Sequence, residues 1–183
     1  MAEELTGRDD SLDDALIQRW KGGDERAATA LVERHASALS RYVASLGERD
    51  AAEEVVQDTF VRAFTSLDTF RGESSLRTWL FTIARRLVVD RRRSQRRRRE
   101  TGTLEDVDAA TEYTALDSLI ASEAKQKVWG AVGKLSPTQR EVFLLRVNEG
   151  LSYKEIAEVA GTTEGAARVH YHNALRTVKE NLE

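Results

Sequence analysis

Apolar residues recur every three or four positions along most of the chain, which is the spacing of helices with one buried face. The first hundred residues contain four such segments, which begin near Ser11, Asp24, Asp50 and Ser74. Four shorter segments follow from about Ala124. The pattern predicts an all-α fold with two small helical domains, at residues 12–99 and 124–183, joined by a linker at residues 100–123.

The N-terminal end differs from these segments in being polar and acidic. We expect residues 1–11 to be a disordered acidic N-terminus. The first helix then begins near Ser11, and we expect its apolar positions to face a core. These positions are Leu12, Ala15, Leu16 and Trp20.

The second domain has clear sequence signals for where its helices begin and end. Ser136-Pro-Thr-Gln139 and Ser152-Tyr-Lys-Glu155 both match the capping box, in which a hydroxyl and a carboxyl or amide side chain satisfy the first backbone amides. Gly161 suits a left-handed helix end, and Thr162 or Thr163 suits the next N-cap. A short helix, a glycine turn and a longer helix predict a helix-turn-helix.

Composition narrows the class of protein. The chain has one proline, eleven glycines and no cysteine, so disulfides, thiolate metal sites and a cysteine nucleophile are excluded. No apolar run approaches the ~20 residues of a membrane span, and the acidic N-terminus does not match a signal peptide. We expect a soluble cytoplasmic protein without membrane insertion.

Enzyme motifs are weak. The segment at 130–134, GAVGK, faintly matches a phosphate-binding loop, but Val128 replaces the required glycine and Leu135 follows the lysine. His170 and His172 lie two apart and so point to different faces of a helix, which makes them poor joint metal ligands. We expect no enzyme activity, no cofactor and no metal site.

Charge is strongly segregated, although the net charge is only −3. Residues 85–99 contain nine arginines and one aspartate, whereas residues 100–123 contain seven acidic residues and no basic one. The arginine run continues an apolar helix, so a core-anchored element delivers the charge to one place. This arrangement favours binding of a polyanion such as DNA, although a solvated basic run is the alternative.

The outer face of the third helix and the loop after it are the next candidates. Glu54, Gln57, Asp58 and Val61 combine carboxylates with an exposed valine, which is either an ordinary solvated face or a docking surface for a basic partner protein. Phe70 lies in a polar glycine-containing loop. It is either a stacking platform for an unpaired base or a plug packed into the core.

The last helix has a predicted inner stripe at Ala167, Tyr171, Ala174, Val178 and Leu182. Its outer face carries polar residues of the kind that read base edges and hold phosphates, namely Arg168, Val169, His172, Asn173 and Arg176. Residues 163–183 contain three basic and three acidic residues, so this helix alone would bind DNA weakly. A protein-binding helical hairpin is the alternative.

Two long segments resemble a known family. AAEEVVQDTFVRAFTSLDTFRGESSLRTWLFTIARRLVVDRRR is similar to the second conserved region of the extracytoplasmic-function (ECF) sigma factors of bacterial RNA polymerase. LSPTQREVFLLRVNEGLSYKEIAEVAGTTEGAARVHYHNALR is similar to their fourth region. With the helices before each, the resemblance covers most of residues 12–182.

The resemblance implies a role for each surface. Residues of the third helix would bind the clamp helices of the largest polymerase subunit, namely Glu53, Glu54, Gln57, Asp58 and Val61. A second set would capture and hold the melted minus-ten element, namely Phe70, Arg71, Arg77, Arg85, Arg86, Arg91, Arg92 and Arg93. A third set would read the minus-thirty-five duplex, namely Thr163, Glu164, Arg168, Val169, His172, Asn173 and Arg176.

The resemblance also implies partners. These are core RNA polymerase, including the flap of its second-largest subunit, promoter DNA, and an anti-sigma factor that holds the protein inactive, with no self-oligomer required. The acidic linker would thread the RNA path of the polymerase, and the bound protein would be nucleoid-associated. We expect the two domains to have no fixed arrangement in the free protein, because the linker lacks core residues before Leu116.

Two departures from the family pattern affect promoter sequence. The family usually has asparagine where this chain has Arg86, and serine with two basic residues where it has Val169, His170 and Asn173. The competing hypothesis is a free-standing helix-turn-helix regulator that binds duplex DNA. The carboxylate face of the third helix separates the two hypotheses, because a simple regulator does not need it.

Overall fold

The structure is a computed structural model that describes residues 2–101 and 123–182. In this part of the chain the regular elements are helices, so the all-α prediction is confirmed. The helices are α1 (Ala2–Lys21), α2 (Glu25–Ser45), α3 (Ala52–Thr65), α4 (Leu76–Glu100), α5 (Glu123–Gly133), α6 (Pro137–Val147), α7 (Tyr153–Ala160) and α8 (Glu164–Glu180). A 3-10 turn at Leu67–Thr69 follows α3. Most of the linker predicted at residues 100–123 lies outside the described residues, at 102–122, while Glu100 is the last residue of α4 and Glu123 the first of α5.

The first domain packs α1 to α4 around one apolar core. Helix α2 lies against α1, α3 and α4, and α3 also lies against α4. The largest fully buried side chains include Leu31, Leu39, Leu80 and Phe81. The inward positions of α3 and of the turn after it are buried, at Val56, Phe60, Ala63 and Leu67. This core holds α4 in place, so its arginine-rich end extends from a rigid base.

The second domain builds a smaller core around α8, which contacts α5, α6 and α7. Ala167, Ala174 and Val178 are buried, as the predicted inner stripe requires, while Leu182 is exposed. Gly161 ends α7 with a φ of 64°, the left-handed conformation that glycine adopts without steric cost. Helices α7 and α8 therefore form the predicted helix-turn-helix.

Helix starts follow the local capping signals in most places. Ser136 and Ser152 both form complete capping boxes, with Gln139 and Glu155 respectively. Asp24 accepts a hydrogen bond from the Arg26 amide at the start of α2. The predicted start at Asp50 is wrong, because the N-cap of α3 is Ala51 and no side chain caps it.

The N-terminal prediction needs correction. Helix α1 begins at Ala2 and runs without a break to Lys21, so residues 2–11 are helical and not a disordered tail. The segment contains Ala, Glu and Leu, which have high helix propensity, and the helix continues into a packed segment that supports it. Polarity alone was therefore a poor guide to disorder here.

The face that α1 turns inward also differs from the prediction. Leu16 and Ile17 are buried, but Leu12 is 47% exposed and Asp13 is only 2% exposed. Asp13 is buried because Arg34 and His35 on α2 both reach its carboxylate, at 2.8 Å and 2.9 Å. Asp13 therefore lies at an inward position of α1 where an apolar residue was predicted, because Arg34 and His35 on the facing helix are partners for its charge.

The expectation of domains without a fixed arrangement is contradicted by this structure. Helix α7 packs against α4, and α6 packs against α2. Val142, Leu145, Ile156 and Val159 from the second domain belong to the same buried cluster as the core of the first domain. These four side chains are apolar positions in the periodic pattern of their helices. The periodic pattern gave no information on which domain would cover them.

Candidate nucleic-acid interface

The outer face of α3 projects into solvent. Glu53, Glu54, Gln57, Asp58 and Val61 are all exposed, and Val61 has 61% of its surface accessible. The opposite face of the same helix is buried, which fixes the orientation of these side chains. An exposed valine among carboxylates gives this face an apolar contact point and a negative rim. We refer to these five residues as the α3 acidic face.

Phe70 combines the two roles that the sequence left open. Its ring is half-buried and packs on Trp79 with a centroid distance of 5.0 Å, so it is partly a core residue. It also lines a cavity of about 170 Å³ together with Arg71 and Trp79. Gly72 adopts a φ of 70° in this loop, which turns the chain back toward α4. The cavity therefore offers aromatic surface beside an exposed guanidinium.

The arginines of α4 divide into two groups by environment. Arg77 and Arg85, near the start of the helix, are partly buried and bonded to glutamates of the second domain. The later ones are more exposed. Arg86 and Arg93 face solvent, while Arg91 and Arg92 pair with acidic residues of their own domain. The sequence grouped all these residues together, and the structure separates them.

The outward face of α8 largely follows the prediction. Arg168, Val169, His172 and Arg176 are exposed, and Asn173 is half-buried. The Arg168 guanidinium lies 4.7 Å from the centre of the Tyr153 ring and bonds to Glu164 at 3.0 Å. These two contacts restrict the Arg168 side chain to one orientation at the surface of the helix.

Thr163 serves as the N-cap of α8. Its hydroxyl accepts a hydrogen bond from the Ala166 amide, and so the first turn of the helix is ordered by a residue of the predicted DNA-reading set. The exposed surface of α8, from this turn onward, is long enough to lie in a major groove, which accepts an α-helix.

Sequence reasoning missed the carboxylates that join the two domains. Glu141 is 7% exposed, and one of its oxygens accepts hydrogen bonds from the Tyr42 hydroxyl and from Arg85, both at 2.7 Å. Burial and the Glu141 carboxylate raise the pKa of Tyr42 well above its ordinary value. Burial lowers the pKa of Arg85, but the bond to Glu141 outweighs this and raises it overall. The Tyr42 hydroxyl and the Arg85 guanidinium therefore both keep the proton that they donate to Glu141.

Glu149 and Glu155 make similar contacts. Glu149 is 6% exposed and bonds to Arg77, with Arg41 at 3.6 Å. Glu155 accepts a hydrogen bond from the Thr78 hydroxyl at 2.9 Å. Burial raises the pKa of Glu155, but hydrogen bonds from Ser152, Thr78 and Ser75 outweigh it and hold the pKa below its usual range. Contacts between residues more than 70 positions apart leave no local signal in a sequence.

Comparison with known proteins identifies the two domains. Residues 31–98 match the family model of sigma-70 region 2, and residues 125–178 match that of sigma-70 region 4. The ECF RNA polymerase sigma-E factor of Haemophilus influenzae is 31% identical over all of this chain and 98% of its own length. The chain belongs to the ECF sigma factors.

Other relatives agree. The ECF RNA polymerase sigma factor BldN of Streptomyces coelicolor is 35% identical over 91% of this chain and 64% of its own length. Among solved structures, the sigma factor RpoE in complex with the anti-sigma factor NepR from Bartonella quintana matches 84% of this chain and 95% of its own, at 28% identity and a TM-score of 0.69. CnrH, solved with the cytosolic domain of CnrY, matches 93% and 97%, at 27% identity and a TM-score of 0.65.

Membership in the family fixes the class of function. This sigma factor is a transcription initiation subunit that works with bacterial RNA polymerase and promoter DNA. The region 2 match separates it from a free-standing helix-turn-helix regulator. Within the described residues, no helix is long and apolar enough to span a membrane, and no group of three metal-ligating side chains comes together.

Proposed function

We propose that this sigma factor directs core RNA polymerase to promoters by three surfaces: the α3 acidic face, the Phe70 cavity with the α4 arginines, and the outer face of α8. The observation that carries the proposal is that all three reach the surface of the helical core: the α3 acidic face is exposed, Phe70 lines an open cavity beside the exposed Arg71, and most of the outer face of α8 is exposed. Each surface has a chemistry suited to one target.

The α3 acidic face supports docking on a basic protein surface. Its carboxylates would steer the encounter with core polymerase, and Val61 would supply apolar contact at the centre. Asp58 is exposed and lies one helical turn from both Glu54 and Val61. We assign it the central position on the clamp-binding surface.

The Phe70 cavity supports capture of an unpaired base from the minus-ten element. The ring and Trp79 offer stacking surface, and Arg71 offers a charge for the adjoining phosphate. Holding a flipped base in a cavity offsets a few kcal/mol of unstacking, so that capture and melting occur together. The arginines of α4, including Arg77, Arg85, Arg86 and Arg91 to Arg93, would hold the adjoining backbone.

The outer face of α8 supports readout of the minus-thirty-five duplex. Asn173 can pair with adenine and Arg168 or Arg176 with guanine or phosphate, while Val169 and His172 add contacts to base edges. Thr163 and Glu164 would lie at the helix start, near the DNA backbone. The departures at Val169, His170 and Asn173 give this factor its own sequence preference.

We further propose that this subunit acts by binding alone, in the cytoplasm, and needs neither a cofactor nor a second copy of itself. An anti-sigma factor is a proposed partner, because the solved structures of RpoE with NepR and of CnrH with the cytosolic domain of CnrY match most of this chain. The flap of the second-largest polymerase subunit is the proposed contact for the region 4 domain.

Run-off transcription with purified core polymerase on promoter fragments tests the proposal. We expect promoter-dependent transcripts that are lost with Glu54→Lys/Asp58→Lys and remain with Glu33→Lys, a charge reversal at an exposed position of α2. Phe70→Ala should fail on duplex templates and recover on templates with a pre-melted minus-ten bubble. Arg168→Ala/Asn173→Ala should weaken promoter binding on both templates.

The outcome that would contradict the proposal is equally specific. If the protein neither co-elutes with core polymerase nor initiates transcription, but still shifts duplex DNA, the three-surface account fails. If Phe70→Ala is equally defective on both templates, then the ring acts in stability or docking and not in melting.

A further inference from the structure

The aromatic ring of Tyr153 lies beside two arginines of the second domain. The guanidinium carbon of Arg168, near the start of α8, is 4.7 Å from the ring centre, and that of Arg146, in the last turn of α6, is 4.9 Å from it. Tyr153 itself is the first residue of α7. One ring therefore connects the ends of three helices, and one of its two arginine neighbours belongs to the proposed DNA-reading set.

The position of the Tyr153 ring is fixed by its own surroundings. Ser152 caps α7 through a complete capping box, which orders the backbone at the next residue. The half-buried Tyr153 ring meets the Tyr171 ring of α8 edge-on, at a centroid distance of 5.8 Å. Arg146 is held separately, because its Nη1 donates a hydrogen bond to the Leu151 carbonyl at 2.7 Å. The ring is therefore a preformed support for the Arg168 side chain.

The contacts of Arg168 restrict its side chain and leave hydrogen-bond donors free. Its Nη2 donates to Glu164 at 3.0 Å, whereas the Tyr153 ring attracts the guanidinium charge without a hydrogen-bond acceptor. A guanidinium has five N–H donors, so others remain available to a base edge. The Glu164 pair alone would be a weak restraint, because both of its side chains are more than half exposed. The ring is therefore the second restraint that Arg168 needs.

Orientation matters most when an arginine reads a base. Two parallel hydrogen bonds to O6 and N7 of guanine require the guanidinium plane to lie in line with the base edge, whereas a phosphate contact positions the protein and specifies no base. Binding also costs less rotamer freedom when the side chain is already ordered. An Arg168 side chain held against a ring is therefore suited to base readout as well as to charge neutralisation.

We propose that Tyr153 is a positioning residue for promoter recognition, whose ring holds Arg168 in the orientation that reads a guanine of the minus-thirty-five duplex. This inference rests on the proposed DNA-reading role of α8. Tyr153 acts in it through Arg168 and not through a DNA contact of its own, so the ring is required and the hydroxyl is not. The sequence pattern shows Tyr153 only as an interior position of a capping box, because the ring contacts come from α6 and α8.

The first arm of the test measures the ring contact in the free protein by nuclear magnetic resonance. The Nε–Hε resonance of Arg168, identified by its loss in Arg168→Lys, should be shifted upfield by the ring current of Tyr153. We expect the shift to persist in Tyr153→Phe, which keeps the ring, and to disappear in Tyr153→Leu, which does not. Lys154→Leu places the same leucine at the next, exposed position of α7, and this matched control should keep the shift.

The second arm measures the base preference of holoenzyme formed from core RNA polymerase and each variant. The probe is a pool of fragments of a promoter that supports run-off transcription, randomised across the minus-thirty-five segment, and sequencing of the bound fragments gives a preference at every base pair. We expect Arg168→Ala to reduce the preference for guanine at one base pair by about tenfold, the loss of a bidentate contact. Tyr153→Leu should reduce it about two- to fivefold at that base pair alone, the strength of an exposed cation–π contact.

Controls separate positioning from folding and from a hydroxyl contact. Tyr153→Phe and Lys154→Leu should keep the wild-type preferences, and adding Tyr153→Leu to Arg168→Ala should cause no further loss at that base pair. Circular dichroism verifies that every variant is folded. A loss in Tyr153→Phe equal to that in Tyr153→Leu assigns the effect to the hydroxyl, and a loss spread evenly over all base pairs assigns it to the stability of the domain. Either result overturns the positioning role.

The remaining outcomes separate this inference from the proposed function. An unchanged Arg168 resonance in Tyr153→Leu overturns the ring contact. A guanine preference that is lost in Arg168→Ala but kept in Tyr153→Leu overturns the positioning role alone. If Arg168→Ala leaves every preference unchanged, the proposed base readout by this residue of α8 fails, and the positioning role fails with it.

Discussion

This sigma factor has two groups of acidic residues, one exposed to solvent and one buried. On α3, Glu53, Glu54 and Asp58 lie in solvent around an exposed valine. On α6 and just after it, Glu141 and Glu149 are buried against arginines and a tyrosine of the other domain. The carboxylates of the first group remain accessible to another molecule, although Glu54 also pairs with Arg91, whereas those of the second group are used within the chain.

The arginines of α4 divide in parallel. Arg77 and Arg85 are bonded to Glu149 and Glu141 of the second domain, while Arg86 and Arg93 face solvent. Charge counts along the sequence do not separate these cases, since burial and partner decide what each charge does. The comparison shows that one helix can carry arginines in two environments, some exposed to solvent and some bonded to carboxylates of the other domain.

The largest effect on stability should come from the buried carboxylate. Glu141→Ala leaves Arg85 and the Tyr42 hydroxyl without their acceptor, and we expect it to lower the free energy of unfolding by roughly 2–3 kcal/mol, less than for a fully buried pair because Arg85 retains solvent contact. Asp58→Ala on the α3 acidic face should change it by less than about 0.5 kcal/mol. Urea denaturation measures the free energy of unfolding of both variants. Equal losses for Glu141→Ala and Asp58→Ala would contradict the difference between the buried and the exposed carboxylates.

Asp13 provides a second buried carboxylate, within one domain. Asp13→Asn should cost about 2 kcal/mol at neutral pH, because it weakens the bonds to His35 and Arg34. Burial raises the pKa of Asp13, but these partners outweigh it and hold the pKa below its usual value.

The pH dependence follows from that direction. Because the folded pKa lies below the unfolded one, the stabilisation is fully present well above the unfolded-state pKa of about 4 and is lost as the pH falls through the folded value. The difference between wild type and Asp13→Asn should therefore shrink as the pH is lowered from about 5 into the acid range below the unfolded-state pKa. A difference that stays constant in urea titrations over this range would show that the charge is not the source.

Tyr42→Phe tests the contact between the two domains by removing a single hydroxyl. The ring keeps its packing on Phe81, at a centroid distance of 4.9 Å, so only the bond to Glu141 is lost. We expect a loss of about 1 kcal/mol in unfolding free energy. A double-mutant cycle with Glu141→Gln isolates the pair, and strict additivity of the two losses would contradict the bond.

The smallest effect on stability should come from the exposed arginine tail. Arg96 bonds to Glu100 one turn away, and both side chains are largely exposed, so Arg96→Ala should change unfolding free energy by less than about 0.5 kcal/mol. Its effect should appear in DNA binding instead. The slope of log affinity against log salt should fall by about one if Arg96 contacts a phosphate, and an unchanged slope would place this residue outside the interface.

Much of the fold could be predicted because its signals are local. The capping boxes at Ser136 and Ser152, the glycine end of α7, and the buried stripes of α3 and α8 all depend on residues within a few positions of each other. The exposed faces of α3 and α8 could be predicted from the same periodicity, because the face opposite a buried apolar stripe is exposed to solvent.

The features that the sequence did not reveal depend on distant partners. Asp13 looks like a solvent-facing residue until Arg34 and His35 of the next helix are placed beside it. Glu141 lies in an apolar helix as an ordinary polar position, and only Tyr42 and Arg85, far away in the chain, explain its burial. The docking of the two domains was missed for the same reason. An apolar stripe predicts that a helix face is buried, but it does not predict which surface covers that face.

The contrast between open and covered carboxylates is tested most directly by equilibrium binding of fluorescently labelled sigma factor to purified core RNA polymerase. The wild type and Glu33→Lys should bind with equal affinity, and Asp58→Lys should bind at least about tenfold more weakly, because it reverses a charge in the α3 acidic face without touching the buried interface. Equal affinities for all three would show that the α3 acidic face is an ordinary solvated surface and that core polymerase is bound elsewhere.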